Sequence, residues 1–315
     1  MMKTKNFPIF FIGGRYRGYL WIKEMIENKE NIVGACIMQE DIHEHEKYFD
    51  KIAALLKNNK IPYLAVNSIN KSDSKKFIKN KHPFLIIVMG WRTIIPKDVI
   101  AFPKYGSIAV HESLLPKYRG FAPVNWAVIN GAKTTGVTLF YLDSNIDNGD
   151  IIGQKDIKIF ADDTAYDVYG KTSSVSIELL KKYLPLIKKG RVKRKKQDEE
   201  KATFTCMRLP EDGAINWSDS SEKIYNLIRG LGYPYPGAFS YLNKKKMYIW
   251  KASIPKQKEY VGKIPGRVVK IEKKGVQILS GDGIILLEEV QIEGREKTSP
   301  YKLIKSIRTS LTQES

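Results

Sequence analysis

The chain has 315 residues, 43% of them apolar, with 53 Lys and Arg against 34 Asp and Glu for a formal charge of +19. That apolar content excludes a disordered chain, and the length allows two domains. The two cysteines, Cys36 and Cys206, are far apart and lack C-x-x-C spacing. This excludes a disulfide framework and a cysteine metal site, and points to reduced thiols in a cytoplasmic protein.

The opening MMKTKNFPIFFIGG carries an apolar run too short for a signal peptide or a membrane span. It predicts a first strand running into the Gly13-Gly14 turn, then an amphipathic helix over Gly18 to Asn28. NIVGACIM is a second strand, and YFDKIAALLKNNK a helix with apolar residues at helical spacing. IPYLAV is a third strand. SDSKKFIKNK is a short helix with a serine N-cap, and PFLIIVMG is an apolar run fit for a strand buried on both faces. GSIAVH and TTGVTLFYLD are further strands with the helix APVNWAVING between them. A long helix follows over TAYDVYGKTSSVSIELLKKYLPLIKKG. Alternating strands and helices predict an α/β, doubly wound, mostly parallel sheet of Rossmann-like type.

From about residue 204 the character changes. AINW, AFSYLN, KMYIWKAS, PGRVVKIEKKGVQILS and GIILLEEVQI are short strands behind one helix, SEKIYNLIRGL. They predict a smaller antiparallel, barrel-like (OB-like) domain. The domains are placed at 1–200 and 201–315.

The positive charge gathers in Lys181 to Gln197 and in Asn243 to Lys251. The first run has little aromatic interleaving, so a solvated helix end and linker outranks a nucleic-acid patch. GGRYRG (Gly13 to Gly18) is a tight turn or an anion site and lacks the dinucleotide fingerprint. HEHE (His43 to Glu46) has no further ligands at metal spacing, so no metal site is expected. His111 ends its strand at the edge where open α/β sheets put their chemistry. Asp143, Asp147 and Asp150 follow the next strand and can supply a carboxylate to orient its ring. The residues alone reach a His–Asp site for acyl or proton transfer.

HESLLPKYRGFAPVNWAVING with TGVTLFYLDSNIDNGDII resembles the formyltransferases that use N10-formyltetrahydrofolate, whose signature is Asn-x-His, S-L-L-P-x-x-R-G, and an Asp thirty-six residues after the His. His111 and Asp147 match that separation, and the likeness covers nearly the whole chain. The resemblance implies N10-formyltetrahydrofolate as co-substrate and His111 and Asp147 as catalytic residues. It implies a folate pocket at Met89, Gly90, Leu142, Asp143, Ile146 and Asp147. Ala109 departs from the pattern, because the family places an oxyanion-donating Asn there. Ser113, Asn125 and backbone N–H groups are the candidate substitutes.

Within the family the chain looks closer to sugar N-formyltransferases than to methionyl-tRNA formyltransferase. Gln39 to Asp50 is acidic where the tRNA enzymes carry a basic insertion. The implied acceptor is a UDP- or dTDP-linked amino-deoxy-sugar, for surface glycan or pseudaminic-type (nonulosonic) acid synthesis. Arg15, Ser113, Lys117, Arg119 and Trp126 are its candidate contacts. No membrane partner is expected, tRNA is disfavoured, and a homodimer is usual for the family. A methionyl-tRNA formyltransferase and a variant weakened at Ala109 are the alternatives.

Overall fold

The structure, a computed structural model, describes residues 7–41, 46–256 and 259–313. Packing divides the chain into two units. One holds the residues up to Gly120 with Gly136–Ile157 and Lys171–Phe204; the other holds Phe121–Thr135, Lys158–Gly170 and the residues from Thr205. The division is thus not a single cut, because the segment after Gly120 joins the C-terminal part.

The first unit is built on a seven-stranded sheet. In chain order its elements are β1 (Ile9–Gly13), α1 (Arg15–Glu27), β2 (Ile32–Ile37), α2 (Phe49–Asn58), β3 (Tyr63–Ala65), α3 (Ser72–Asn80), β4 (Leu85–Met89), α4 (Lys97–Ile100), β5 (Ser107–His111) and the two-residue β6 (Arg119–Gly120). After α5 (Pro123–Ile129) come β7 (Thr134–Tyr141), β8 (Ile151–Lys158) and α6 (Ala165–Lys188). The sheet order is β3-β2-β1-β4-β5-β7-β8. The pairs from β3 to β5 are parallel, and β5 meets β7 antiparallel with His111 opposite Thr138.

Alternation along the central strands sends side chains to two cores. Ile9 and Phe11 of β1 join Trp21, Leu56 and Leu179 on one face. Phe10 and Ile12 join Ile78, Val88 and Phe140 on the other. Strand order reverses between β1 and β4, the place where open α/β sheets open a crevice. There Gly90 has φ 69°, and an added Cβ would sit 2.3 Å from the Gly14 carbonyl oxygen, so the two loops can approach only without side chains.

Several local expectations change. α1 begins at Arg15, three residues earlier than Gly18, which draws Arg17 into the helix. Arg17 is buried, bonded to Thr172 and Ser173 and paired with Glu112, so it is not an exposed turn arginine. α3 has Lys71 at its N-cap with no side-chain cap bond. β8 lies where no strand was expected, because its Gln154, Lys155 and Asp156 are exposed and mask the buried Ile151 and Ile152. The basic segment is solvated as expected, with Arg191 and Lys193 to Lys196 exposed, yet it is tied to the sheet: Lys195 exchanges backbone hydrogen bonds with Ile151, and the Arg194 guanidinium lies 3.8 Å from the centre of the Tyr141 ring. His43 and its neighbours to His45 lie outside the described residues.

After the two-residue β9 (Phe204–Thr205), the second unit adds α7 (Ser221–Leu231) and the strands β10 (Ala238–Leu242), β11 (Lys245–Ser253), β12 (Val268–Glu272), β13 (Gly275–Leu279), β14 (Ile284–Ile292) and β15 (Lys297–Thr298). The sheet runs β10-β11-β14-β13-β12, with β15 on β14. Asn243 and Lys244, at φ 50° and 63°, make the two-residue hairpin between β10 and β11. Thr312 bridges Tyr241 and Ser310 bridges Arg267, so the C-terminal segment links the two edges in a barrel-like closure. AINW forms only one bridge, from Ala214 to Phe239, rather than a strand. In this unit α5 packs on α7, close enough that a Cβ at Gly230 would meet Ile129 at 2.5 Å. No helix among the described residues is long and apolar enough to cross a membrane.

Candidate active site

β5 carries the site because its neighbours bury both of its faces. Ile108 and Val110 turn to one core, while Ala109 turns to the other, among Val88, Leu115, Phe140 and Ile151. At 7% exposure the Ala109 methyl fills an apolar niche and offers no hydrogen-bond donor. His111 is the last residue of the strand, also buried, two positions on and thus on the same face.

The imidazole is held between two acceptors. Its Nε2 lies 2.7 Å from the Tyr118 carbonyl oxygen, and its Nδ1 lies 3.5 Å from Asp147 Oδ2. A carbonyl only accepts, so Nε2 carries a hydrogen in this arrangement. The same Asp147 oxygen accepts the Gly120 N–H at 2.9 Å. Tyr118 and Asp147 both take left-handed backbone angles, φ 58° and 50°. Such conformations cost energy and collect where geometry serves a site.

Arg119 sets this geometry from behind. It is 2% exposed. Its guanidinium pairs with both Glu199 oxygens at 2.8 and 2.7 Å, donates to Gln197 Oε1 at 3.1 and 2.8 Å, and reaches Asn148 Oδ1 at 3.2 Å. Gln197 then donates its Nε2 to the carbonyls of Asp147 and Gly149 at 2.7 and 2.8 Å. Bonding to Arg119 holds the Glu199 carboxyl below the usual glutamate range. Arg119 is therefore a buried anchor for the Asp147 loop rather than an arm open to a phosphate. Gln197 and Tyr118 went unrecognised in the sequence, since one sits in a basic run and the other acts through its carbonyl.

The Ser113–Lys117 turn is pinned by Thr138. The Thr138 hydroxyl donates to Ser113 O at 2.6 Å and accepts the Leu115 N–H at 3.1 Å, and Gln154 donates to Leu115 O at 2.8 Å. Gly136 is required beneath it, because a Cβ there would meet Leu114 at 2.4 Å. Ser113 Oγ donates to Lys117 O at 2.5 Å, and Asn125 Nδ2 donates to Gly230 O at 2.9 Å. The Ser113 hydroxyl hydrogen is thus already used, and the Asn125 amide is anchored through one of its two hydrogens. Lys117 is exposed. Arg15 opens α1 half-buried at φ 60°. Trp126 lies in the second unit, where its Nε1 donates to Cys206 O and the Arg208 guanidinium lies over its ring.

The residues assigned to a folate pocket divide by role. Met89 packs its side chain into the core opposite Ala109, and its carbonyl accepts the Gly14 N–H at 3.2 Å. Trp91 and Leu142 pack on the Ala109 side of the sheet. The Trp91 indole N–H is buried with no partner among the described residues. Asp143 and Ile146 are exposed on the loop that ends at Asp147. An apolar surface with an unsatisfied donor and exposed loop backbone suits a flat heteroaromatic ring with hydrogen-bonding edges. Among the described residues no group of His, Cys, Asp and Glu is placed to hold a metal ion.

The profile of the formyl transferase family matches residues 43–184, and that of the formyl transferase C-terminal domain matches 209–308. The methionyl-tRNA formyltransferase of Acetivibrio thermocellus is 36% identical over 249 residues, covering 79% of each chain. The chain belongs to the formyl transferase family. This formyltransferase is also 36% identical over 297 residues to the bifunctional polymyxin resistance protein ArnA of Wigglesworthia glossinidia brevipalpis; the match covers 91% of this chain and 45% of that one. Among solved structures, the sugar 3N-formyl transferase WlaRD, crystallised with dTDP and 5-N-formyl-THF, aligns with TM-score 0.66 at 21% identity over 92% of this chain and 98% of that one. The Helicobacter canadensis N-formyltransferase, in complex with folinic acid and dTDP-3-aminofucose, aligns with TM-score 0.67 at 21% identity, covering 89% and 98%.

Proposed function

We propose that this formyltransferase moves a formyl group from N10-formyltetrahydrofolate to the amino group of a UDP- or dTDP-linked amino-deoxy-sugar, as an enzyme of surface-glycan or nonulosonic acid synthesis. The buried His111, paired with the half-buried Asp147 beside the Ser113–Gly120 turn, carries the catalytic half of the reading. The bound folate supplies the formyl carbon. With its hydrogen on Nδ1 toward Asp147 and Nε2 released from the Tyr118 carbonyl, His111 takes a proton from the attacking amine; the bond from the formyl carbon to N10 breaks as that proton passes to N10, and Asp147, fixed by Gly120 and Gln197, orients the imidazole. Holding the amine beside the formyl group supplies proximity.

The acceptor half is supported by the acidic segment after β2. Glu40 accepts the Tyr48 and Phe49 N–H groups at the start of α2, and Asp41 pairs with Arg92, so these carboxylates are built into the fold. Such a surface disfavours a polyanion. The likeness to solved sugar N-formyltransferases over most of both chains points the same way. A second reading, transfer to charged initiator tRNA, is favoured by the relatives named methionyl-tRNA formyltransferase. One assay separates the two: the protein is supplied with formyl donor and either dTDP- or UDP-amino-sugars or aminoacylated tRNA. Formylation of the nucleotide sugar is the expected result; turnover of tRNA alone rejects the sugar.

A further inference from the structure

The first unit carries a buried polar network on the face of the sheet away from the His111 ring. Arg17, the second arginine of GGRYRG, sits on α1 at 7% exposure. Each nitrogen of its guanidinium is engaged. Nε donates to Ser173 Oγ at 3.1 Å, Nη2 donates to Thr172 Oγ1 at 2.7 Å, and Nη1 pairs with Glu112. Thr172 and Ser173 belong to α6 and are 0% and 1% exposed. One turn along α1, Trp21 donates its Nε1 to Ser176 Oγ at 3.0 Å, and Ser176 donates to the Ser173 carbonyl at 2.6 Å. Trp21, Val175 and Leu179 from the same two helices belong to the apolar core on that face.

Glu112 is the residue after His111. The pairing of β5 with β7 ends at His111 opposite Thr138, so Glu112 leaves the ladder and its side chain becomes its anchor. Successive side chains of an extended segment point to opposite faces. His111 turns to Asp147, and Glu112 turns to the side of α1 and α6, where Arg17 meets it. The peptide between the two residues is therefore held from both faces. α1 gives Arg17 a fixed seat, because a Cβ added to Gly18 would lie 3.2 Å from the Met89 carbonyl oxygen. A buried ion pair adds little stability beyond an apolar contact of the same shape, and its best-attested use is to fix one arrangement among several. What this pair fixes is the exit of the chain from β5.

We propose that Arg17 and Glu112 are positioning residues for formyl transfer: the pair holds the peptide after His111 from behind the sheet and so sets the direction of the imidazole toward Asp147. Both act through His111 rather than on the substrate. The kinetic half of the test rests on the reading of His111 as proton carrier; the spectroscopic half does not.

The test uses the full chain as wild type, Glu112→Gln, Arg17→Met, Arg17→Lys and Thr172→Val. Kinetics are run with N10-formyltetrahydrofolate and the acceptor that turns over, a dTDP- or UDP-amino-sugar or aminoacylated tRNA. Imidazole nitrogen NMR reads the ring directly: the chain has four histidines, and the His111 signals are those lost in His111→Asn. Glu112→Gln is expected to lower kcat about tenfold to a hundredfold, the loss that a displacement near 1 Å brings. It leaves KM for the formyl donor within about threefold and shifts the His111 signals. Arg17→Met does the same, and Arg17→Lys, which keeps a charge opposite Glu112, retains more kcat than Arg17→Met. Thr172→Val loosens Arg17 from α6 and leaves Glu112 in place, so it lowers the melting temperature while kcat and the His111 signals stay as in wild type. Ser173→Ala replaces it should it not fold. Glu112→Gln and Arg17→Met break the pair from either side, so one folded variant of the two suffices. Unmoved His111 signals in that variant overturn the proposal, as does wild-type kcat where His111→Asn is slow. A loss of kcat in Thr172→Val equal to that in Glu112→Gln also overturns it, since the network is then helix packing alone. If His111→Asn keeps wild-type kcat while Glu112→Gln still shifts the ring signals, the proton-carrier reading fails and the positioning of the ring stands.

Discussion

His111 Nδ1 faces Asp147 Oδ2 at 3.5 Å, and that same oxygen is held at 2.9 Å by the backbone N–H of Gly120. The carboxylate is therefore positioned by the chain and the ring by the carboxylate. Asp147→Asn keeps the shape but removes the charge that orients the imidazole, and His111→Asn removes the proton carrier. Each substitution lowers kcat roughly 10²–10⁴-fold, the span of general acid–base catalysis. KM for the formyl donor stays within about threefold if the pair acts on the chemical step. Steady-state kinetics check both, and a loss confined to KM assigns the pair to binding.

The methyl of Ala109 stands where the family signature has a donor; the Ser113 hydroxyl is spent on Lys117 O, and the Asn125 amide is tied to Gly230 O. Removing one oxyanion donor costs about 2.7–4 kcal/mol of barrier. Ala109→Asn is expected to raise kcat by roughly 10²–10³. It should lower stability by about 1–3 kcal/mol, because the niche is already filled. Ala109→Val adds bulk without a donor and should bring the second effect alone. Equal kcat in the two variants means that the missing amide does not limit the rate.

Gln197 uses both ends of its amide, accepting from Arg119 and donating to the carbonyls of Asp147 and Gly149. Gln197→Ala releases the loop while leaving the side chains of His111 and Asp147 in place. kcat is expected to fall roughly tenfold to a hundredfold, since a displacement near 1 Å is enough for such a loss. The pH–rate profile should shift with it, because the His111–Asp147 alignment changes. An unchanged profile with only a lowered melting temperature makes Gln197 a structural residue.

The two-core architecture was legible because apolar runs such as PFLIIVMG allow little else. His111 and Asp147 were legible because their motif and spacing are long and specific. Arg119 belonged to the same motif, yet its role was not legible: a string of residues does not reveal that Glu199 and Gln197 fold back onto it. β8 was hidden because its outer half is polar, and the tie between the exposed basic stretch and the sheet was hidden because the partners of Arg194 and Lys195, Tyr141 and Ile151, are distant in sequence. Where a group's partners are remote or backbone atoms, composition carries no trace of them.

The Arg119–Glu199 pair gives a pH test. Bonding to Arg119 lowers the Glu199 pKa, so its stabilising contribution is present above the unfolded glutamate pKa and is lost as pH falls through the lower folded value. Glu199→Gln should therefore differ from wild type in melting temperature by a constant amount near neutrality. The difference should shrink only in acid below the ordinary glutamate range. A gap already closing near neutrality contradicts the pairing.

The two thiols should separate cleanly. Cys36 lies in β2, 0% exposed, and burial pushes its pKa up to about 12. Cys206 is free and exposed. The thiolate is the reactive form and must be reached by the reagent, so at about pH 8 a buried thiol with so high a pKa stays silent while an exposed one reacts. Titration with a chromophoric disulfide should release one equivalent per native chain and two after denaturation. Cys206→Ser should leave the native protein unreactive. Because Cys36 packs beside Phe10 and Ile12 in the core on the Ala109 face of the sheet, its exposure reports opening of that core rather than local fraying. Rapid native labelling of Cys36 at a rate that follows the thiolate fraction would contradict its burial, and labelling at the rate of global unfolding is the expected outcome.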